Sequence, residues 1–520
     1  MLFNPSAWIS ISTKRYPNHP CIKYKDFSAT YFEVNQRANR LAWGLMERGI
    51  IKGMRVATLQ FNSNQIIEET LAMWKAGIIL VPLNTRNSAR HNIEFLKDCD
   101  AEALIFGVEF VDQIESMRRE LPNLKHFICI GDPEKRFVDY ESLLSDNTRE
   151  PNIDINEDEV YRIAYTSGTT ATPRGVLQTF RNRKEQIANT FMNTPIYKDD
   201  IFLHVCPLTH AAGYLFLPFY LAGAKQIILD KWDPEVFMET IERERVTCAL
   251  LVPTMIYMLL ELKNLREYDY SSLRQLFYGT APVSYSKLKD AIGVFGSILR
   301  QNFGLTEAVQ TNFYLGPEEH VVTGDENIDI RLKSAGRRGI GPEIKIVDEN
   351  DEDVPPGEVG EIVIRSPHIS KGYLNQPELT AEVYRNGWLH TGDLAYEDED
   401  GYIFIVDRTK DMIISGGFNI YCREVEVYLD MHPAVLESAV IGVPHEKWGE
   451  CVKAYIVLRE GRDEPKLEEL CDFCVSQGLS RYKIPKDIGF LESLPKNENQ
   501  KTMKRELRKL VGLSERYVAR

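Results

Sequence analysis

The sequence lacks the features that mark membrane and secreted proteins. Its N-terminus has no basic segment followed by an uninterrupted apolar run, so no secretory signal is expected. The most apolar region, 204–229, is interrupted by Pro207, Pro218 and Gly223 among others, which predicts a buried strand, loop and helix rather than a membrane span. We therefore expect a cytoplasmic protein without stable membrane insertion.

An excess of positive charge is also absent. The chain has 62 basic and 76 acidic residues, a net charge of -14, which argues against binding to nucleic acid or to an anionic membrane. Any polyanionic substrate would then have to meet a locally positive site. We expect that site to be built from a few Arg and Lys side chains together with a metal ion.

A disulfide framework is missing as well. The nine cysteines are an odd number without framework spacing, as expected in a reducing compartment. Cys471 and Cys474 form the closest pair, and they lie on one face of a helix predicted over 465–478. This placement favours core packing over redox or metal chemistry.

What the 520 residues do contain is a repeated alternation of helix and strand patterns, which predicts βαβ units and largely parallel sheets. Strand patterns lie at 55–60, 78–82, 101–106, 126–130, 160–165, 201–205, 226–229, 246–252 and 275–278. The predicted class is α/β: a large N-terminal domain of two βαβ-type sheets plus a small antiparallel β unit after residue 335, followed by a small α+β C-terminal domain.

The most informative segment is the polar run YTSGTTATPRG at 165–175. It offers hydroxyls, approachable backbone N–H groups and the fixed positive charge of Arg174, and it follows a predicted strand, where α/β folds commonly bind anions. A solvated Ser/Thr loop is the alternative, but the Pro-Arg-Gly ending favours a phosphate site. The spacing differs from that of the P-loop.

In four further clusters, polar residues or glycine interrupt apolar strands where sterics would not demand them. They are PLTHAAG at 207–213, YGTAP at 278–282, QNFGLTE at 301–307, and GWLHTGD at 387–393, the last followed by DRTKDMIISGGFNI at 407–420. With the polar run, their order resembles the adenylate-forming superfamily of acyl- and aryl-CoA ligases, luciferases and peptide-synthetase adenylation domains. The resemblance extends from about residue 10 to 510.

In that family a carboxylate attacks the α-phosphorus of ATP, giving an acyl-adenylate and pyrophosphate, and a thiol then displaces AMP. The resemblance implies that the β- and γ-phosphates contact Thr166, Ser167, Gly168, Thr169, Thr170 and Arg174, the last in place of the usual Lys. It implies that adenosine contacts Gly279, Thr280, Ala281, Asn302, Phe303, Gly304 and Asp393, the last at the ribose hydroxyls, and that Arg408 adds a second contact to the ribose or to a phosphate. Thr306 is expected at the α-phosphate, and Glu307 is expected to hold Mg²⁺.

The acyl and thiol steps involve a second set of residues by the same resemblance. His210 is placed near the acid's carboxylate, to orient it or gate its pocket; a core histidine is the alternative. A general-base role is not expected, because a carboxylate is already ionised at pH 7. Lys501 is expected to bridge the carboxylate and the α-phosphate, although Gln500 replaces the Gly that usually precedes it. The hinge is expected at Lys410, and a channel for the pantetheine arm at Gly416 and Gly417.

The resemblance predicts a domain at 1–409 with the ATP and acyl sites, and a mobile domain at 410–520 with the catalytic Lys. The predicted function is activation of a carboxylic acid with ATP and Mg²⁺, then transfer to CoA. The apolar character of 208–219 suggests a fatty or aryl acid. Two alternatives are a stand-alone enzyme that loads a carrier-protein thiol, and a nucleotide-binding homologue without ligase activity, the latter motivated by Gln500 and Arg174.

Overall fold

The structure is a computed structural model that describes residues 2–132, 134, 136–166, 173–281, 283–310, 312–497 and 502–513. It confirms the predicted class. Two large, mostly parallel sheets form the N-terminal part, an antiparallel β unit follows, and a small α+β unit ends the chain.

The first large sheet has seven strands, all parallel to their neighbours except for an antiparallel pair at one edge. In spatial order they are Arg174–Thr179, Val160–Thr166, Ile79–Pro82, Arg55–Leu59, Ala103–Gly107, His126–Ile130 and Val138–Asp139. The antiparallel edge is a hairpin around the polar run, so this run connects two strands instead of leading into a helix.

The second large sheet has nine strands, with a parallel centre and antiparallel strands at both edges. In spatial order they are Arg337–Arg338, Phe313–Leu315, Leu299–Phe303, Gln275–Gly279, Cys248–Leu251, Ile201–His204, Lys225–Ile228, Pro20–Tyr24 and Phe27–Thr30. The last two come from the start of the chain and cross to the second sheet, which local sequence patterns do not reveal.

The two sheets share a buried core. Tyr161 of the first sheet and Ile228 of the second belong to one apolar cluster, together with Trp74 and Phe216 from intervening helices. The α-helices are Pro5–Arg15, Tyr31–Glu47, Asn64–Ala76, Ala89–Asp98, Val111–Met117, Phe180–Asn193, Gly213–Ala222, Pro234–Glu244, Pro253–Leu260, Tyr285–Phe295, Glu326–Asp329, Pro377–Val383, Cys422–Asp430, Leu467–Ser476 and Lys504–Leu510.

Local signals explain several helix boundaries. Thr30 accepts a hydrogen bond from Glu33 N, and the Glu33 carboxylate accepts one from Thr30 N, a capping box that starts Tyr31–Glu47. Short 3₁₀ turns lie at Val108–Phe110, Arg118–Glu120, Glu141–Leu143, Leu265–Glu267, Pro317–Glu319, Ile330–Lys333 and Arg481–Lys483.

The antiparallel unit and the C-terminal unit each contain five strands. The former comprises Glu343–Val347, Gly360–Arg365, Tyr384–Arg385, Trp388–Glu397 and Ile403–Arg408; the latter comprises Ile413–Ser415, Phe418–Ile420, Val435–His445, Gly449–Leu458 and Asp487–Phe490. A separate two-stranded pair joins Leu2–Phe3 to Ile155–Asn156.

All nine cysteines are buried and carry free thiols. Cys471 and Cys474 lie on helix Leu467–Ser476, and Cys474 belongs to the apolar core of the C-terminal unit, as core packing predicts. No helix in the described part of the chain is long and apolar enough to cross a membrane.

Candidate active site

The predicted adenosine residues lie where two parallel strands of the second sheet end side by side. Gly279 pairs with Asn302 across these strands. A Cβ on Gly279 would lie 2.5 Å from the Asn302 carbonyl oxygen, so no larger residue fits there. Thr280 has φ +68°, a strained conformation for a β-branched residue and one that tends to occur at functional sites. Ligands of α/β folds bind at this end of parallel strands.

At the carboxyl end of these strands, Asn302 supplies a polar group without a partner in the described part of the chain. Its Oδ1 is buried and has no hydrogen-bond partner within the described residues. The neighbouring Phe303 packs its ring 5.2 Å, centroid to centroid, from that of Phe313. An unsatisfied acceptor beside an aromatic ring is suited to a flat base that carries an amino group.

Glu307 lies in a loop after strand Leu299–Phe303. Its Oε1 accepts a hydrogen bond of 2.8 Å from the Tyr373 hydroxyl, and its backbone oxygen accepts one of 2.7 Å from Ser370 N. The carbonyl of Thr306 accepts a bond of 2.9 Å from Gln178 Nε2. These contacts hold the Thr306–Glu307 segment against two other parts of the chain.

Residues 369–374 connect this loop to the strand that follows the polar run. Leu374 N donates to the Gly175 carbonyl, and Tyr373 forms a bridge with Val176. Burial raises the pKa of Tyr373, as does the Glu307 carboxylate, while Arg174 opposes the rise. Arg174 therefore lies within electrostatic reach of the Tyr373–Glu307 pair.

Thr166 is the cross-strand partner of Arg174 and ends the strand before the polar run. The other predicted phosphate-binding residues, Ser167, Gly168, Thr169 and Thr170, lie outside the described residues. The structure thus fixes the two ends of the polar run beside Glu307.

Asp393 and Arg408 form a cross-strand ion pair in the antiparallel unit. They face each other in the register, and Arg408 Nε lies 2.9 Å from Asp393 Oδ1. Asp393 is the main cause of the raised pKa of Arg408, and Glu307 contributes to the same shift. The ion pair therefore lies near Glu307, although 86 residues separate Glu307 from Asp393 along the chain.

His210 lies in a turn before helix Gly213–Ala222. Its Nε2 is buried without a hydrogen-bond partner among the described residues. Burial lowers the pKa of His210 to about 4, with further lowering by Arg162 and Arg86, so the ring is neutral at pH 7. The neighbouring Ala211 carbonyl accepts a 3.1 Å bond from Gln310 Nε2, which ties this turn to the loop after Glu307.

The remaining predicted residues lie in the C-terminal part of the chain. Lys410 is exposed between strands Ile403–Arg408 and Ile413–Ser415. Gly416 and Gly417, with φ of +59° and +85°, form the turn before Phe418–Ile420. Lys501 and Gln500 lie outside the described residues.

Lys504, three positions after Lys501, has a structural role. Its Nζ lies 2.8 Å from Glu426 Oε1, with both side chains largely buried. The neighbouring charges of Glu426, Asp407 and Asp411 hold the pKa of Lys504 well above its ordinary value against the effect of burial. This ion pair anchors helix Lys504–Leu510 to helix Cys422–Asp430.

Sequence reasoning missed Tyr373, Ser370 and Gln178, which support Glu307 and Thr306. Tyr373 lies in a Gly-Tyr-Leu segment that resembles many turns, and Gln178 is a polar residue within a strand. Neither has a local signal, because their role depends on contacts between segments 66 and 128 residues apart.

The donor set around Glu307 fits a hard divalent cation. Glu307 Oε1 is held by Tyr373, which leaves carboxylate oxygen for a metal such as Mg²⁺. No group of three or more His, Cys, Asp or Glu side chains that could hold a metal occurs within the described ranges. One carboxylate plus substrate phosphates is a common way to bind Mg²⁺.

Comparison with known proteins identifies the family. Residues 10–374 match the family described as AMP-binding enzyme, and residues 424–501 match the AMP-binding enzyme C-terminal domain. The chain belongs to the AMP-binding enzyme family, the adenylate-forming superfamily that the motifs resemble.

Relatives and solved structures extend over nearly the whole chain. A medium/long-chain-fatty-acid–CoA ligase, FadD8 of Mycobacterium tuberculosis, is 34% identical over 93% of this chain and 86% of its own length. A feruloyl-CoA synthase of Amycolatopsis sp is 35% identical over 97% and 99%. The amide bond synthetase McbA of Marinactinospora thermotolerans has a TM-score of 0.87 at 29% identity, covering 97% of this chain and 99% of its own.

Proposed function

We propose that this chain is an acid–thiol ligase, an AMP-forming acyl-CoA synthetase acting on a fatty or aryl acid. A carboxylate oxygen bonds to the α-phosphorus of ATP, and the bond from that phosphorus to the bridging oxygen breaks, releasing pyrophosphate. The CoA sulfur then bonds to the acyl carbon, AMP leaves, and the thiol proton passes to solvent. Two relatives are named for fatty-acid and feruloyl substrates.

One observation carries the proposal: four charged side chains from separate segments, Glu307, Arg408, Asp393 and Arg174, are linked to one another by an ion pair or by electrostatic contact around the Tyr373–Glu307 hydrogen bond. Glu307 is linked to Tyr373 by a hydrogen bond and to Arg408 electrostatically. Arg408 is paired with Asp393, and Arg174 acts on Tyr373. This set combines a carboxylate for a metal, a carboxylate for ribose hydroxyls and a cation for phosphate, as adenylation of an acid requires.

Within this proposal Thr306 contacts the α-phosphate, and Thr166 to Thr170 with Arg174 bind the β- and γ-phosphates. Glu307 holds Mg²⁺, which neutralises phosphate charge when bound. Asp393 and Arg408 bind ribose. The adenine lies against Gly279, Thr280, Ala281 and Gly304, between Phe303 and the free acceptor of Asn302.

The C-terminal part supplies the remaining roles of the proposal. Lys501 bridges the acid's carboxylate and the α-phosphate during adenylation. Lys410, exposed between two strands, is the hinge between domains 1–409 and 410–520. Gly416 and Gly417 then line the path of the pantetheine arm, because they present no side chain.

Pyrophosphate exchange with an acid panel tests the proposal. Octanoate, benzoate, ferulate and indole-3-acetate are each incubated with ATP, Mg²⁺ and labelled pyrophosphate, with and without CoA. We expect exchange with at least one acid and thioester formation once CoA is added. No exchange with any acid, from a protein that binds AMP, would favour a nucleotide-binding homologue without ligase activity.

A different acceptor is the second candidate, because a protein of the same fold is named as an amide bond synthetase. Adenylate formation without thioester in the presence of CoA favours this candidate. Adding an amine, or a carrier protein with a phosphopantetheine thiol, then distinguishes the two kinds of acceptor.

A further inference from the structure

Two buried arginines stack on one tyrosine ring next to the turn that carries His210. Arg162 and Arg183 are 7% and 4% exposed, and their guanidinium carbons lie 4.7 and 5.2 Å from the centre of the Tyr214 ring. Arg162 Nη2 donates to the Thr209 carbonyl at 2.5 Å, and Arg183 donates to the carbonyls of Gly213 and Tyr214. Both therefore hold the turn that carries His210.

In the part of the chain that the structure describes, no carboxylate forms an ion pair with these charges, and Arg162 Nε is buried without a partner there. The carboxyl group of Glu69 lines the same small cavity as both arginines, and that of Glu307 lines a second cavity with Arg183. Burial raises the pKa of Glu69 to about 8, so it is mostly protonated at pH 7. Unpaired buried charge is costly, which points to an anion that binds close by.

The positions of the arginines indicate which anion. Burial lowers the pKa of His210, and the charges of Arg162 and, more weakly, Arg86 lower it further, so the Arg162 charge acts at that ring. The cavity shared by Arg162, Arg183 and Glu69 has a volume of about 30 Å³, room for about two water molecules and too little for an acid. A second, smaller cavity is lined by Arg183, Thr306 and Glu307. The two arginines thus lie between the turn that carries His210 and the Thr306–Glu307 segment, where the α-phosphate and Mg²⁺ are proposed to bind.

We propose that Arg162, supported by Arg183, is a positioning residue that draws the acid's carboxylate to His210 and fixes the turn holding that ring. This role rests on the proposed function. His210 is neutral, so the positive charge at this place comes from the arginines. The carboxylate loses its charge as its oxygen bonds to phosphorus, and a cation that attracts it therefore strengthens binding more than it speeds the chemical step.

The test compares Arg162→Met and Arg162→Lys with the wild-type protein. Equilibrium binding of ferulate and octanoate, each beside its uncharged primary amide, measures the preference for a carboxylate without turnover. Pyrophosphate exchange gives KM for acid, KM for ATP and kcat. The matched control is Arg300→Met: Arg300 is 6% exposed, bonds Gln275 Oε1 and the Asn193 carbonyl, and lies at the opposite end of strand Leu299–Phe303 from the adenine residues.

We expect Arg162→Met to weaken carboxylate binding and raise the KM for acid at least tenfold, with amide binding, KM for ATP and kcat changed less than threefold. Arg162→Lys should recover part of the loss, while Arg300→Met should lower Tm without altering the preference. The inference is overturned if Arg162→Met keeps the carboxylate preference, if both KM values rise together, or if the wild type binds no carboxylate. If the wild-type protein prefers the carboxylate but shows no pyrophosphate exchange, the ligase proposal is rejected and the role of Arg162 in binding the carboxylate stands.

Discussion

Replacing Asp393 with Asn tests the ribose site with little change of shape. Asp393 is 5% exposed, so solvent screens its charge weakly, and its partner Arg408 remains in place. A hydrogen bond to a charged acceptor contributes about 1 kcal/mol more than one to a neutral acceptor. Two ribose hydroxyls therefore lose about 2 kcal/mol together, which corresponds to roughly 30-fold weaker nucleotide binding.

The effect on folding should be much smaller. The Arg408 side chain is 39% exposed, so its ion pair contributes at most about 1 kcal/mol to stability. Calorimetric titration with AMP measures the affinity without turnover, and a thermal melt measures the stability. We expect the Kd for AMP to rise about 30-fold while Tm falls by less than about 4 °C.

The antiparallel unit offers a matched control. Glu343 and Arg365 are also cross-strand register partners joined by an ion pair, but both side chains are more than half exposed. Glu343→Gln should leave the Kd for AMP unchanged. The reasoning fails if Asp393→Asn binds AMP within threefold of the wild type, or if Glu343→Gln weakens binding as much.

Further substitutions and pH test other parts of the site. Glu307→Gln should reduce pyrophosphate exchange by at least about 100-fold at every Mg²⁺ concentration. Tyr373→Phe removes the hydrogen bond to Glu307 and should raise the Mg²⁺ concentration that gives half-maximal exchange about tenfold. Exchange that depends on Mg²⁺ as in the wild type, in either variant, would contradict the role given to that residue. Lys501→Ala should lower adenylation about 100- to 1000-fold while thioester formation from supplied acyl-adenylate largely survives, and equal loss of both would contradict the separate roles. Burial lowers the pKa of His210 and His368 to about 4, below the unfolded value of about 6.5, so their stabilisation is complete above pH 6.5 and is lost as the pH falls towards 4. The free energy of unfolding in urea should be lower at pH 5 than at pH 7 by about 2 kcal/mol for each of these histidines. In His368→Gln this difference should shrink by the contribution of His368. A variant with the same pH dependence as the wild type would refute the assignment.

Much of the fold was predictable because its strands are buried and uninterrupted. The pattern at 126–130 matches strand His126–Ile130, and the pattern at 55–60 matches Arg55–Leu59 to within one residue. The crossing of Pro20–Tyr24 into the second sheet was not predictable, because its pairing with Lys225–Ile228 joins segments some 200 residues apart. Local patterns carry no information about such a pairing.

The candidate site divides in the same way. Motifs singled out Glu307, Asp393 and Arg408, and the structure brings these three side chains near one another. Tyr373 carries no motif, yet its hydroxyl donates a hydrogen bond to the Glu307 carboxylate. The domain boundary and the roles of Lys410 and Lys501 remain predictions.

The sequence by itself determined the class of fold, because apolar periodicity is a property of neighbouring residues. The content and order of its motifs resemble one family, and that resemblance supplied most of the proposed nucleotide contacts. Only the tertiary structure decided which charges are paired. Asp393 is paired with Arg408, whereas Arg162 and Arg183 share one tyrosine ring and form no ion pair among the described residues. Whether a charge is neutralised depends on burial and on distances between remote segments, and these exist only once the chain has folded.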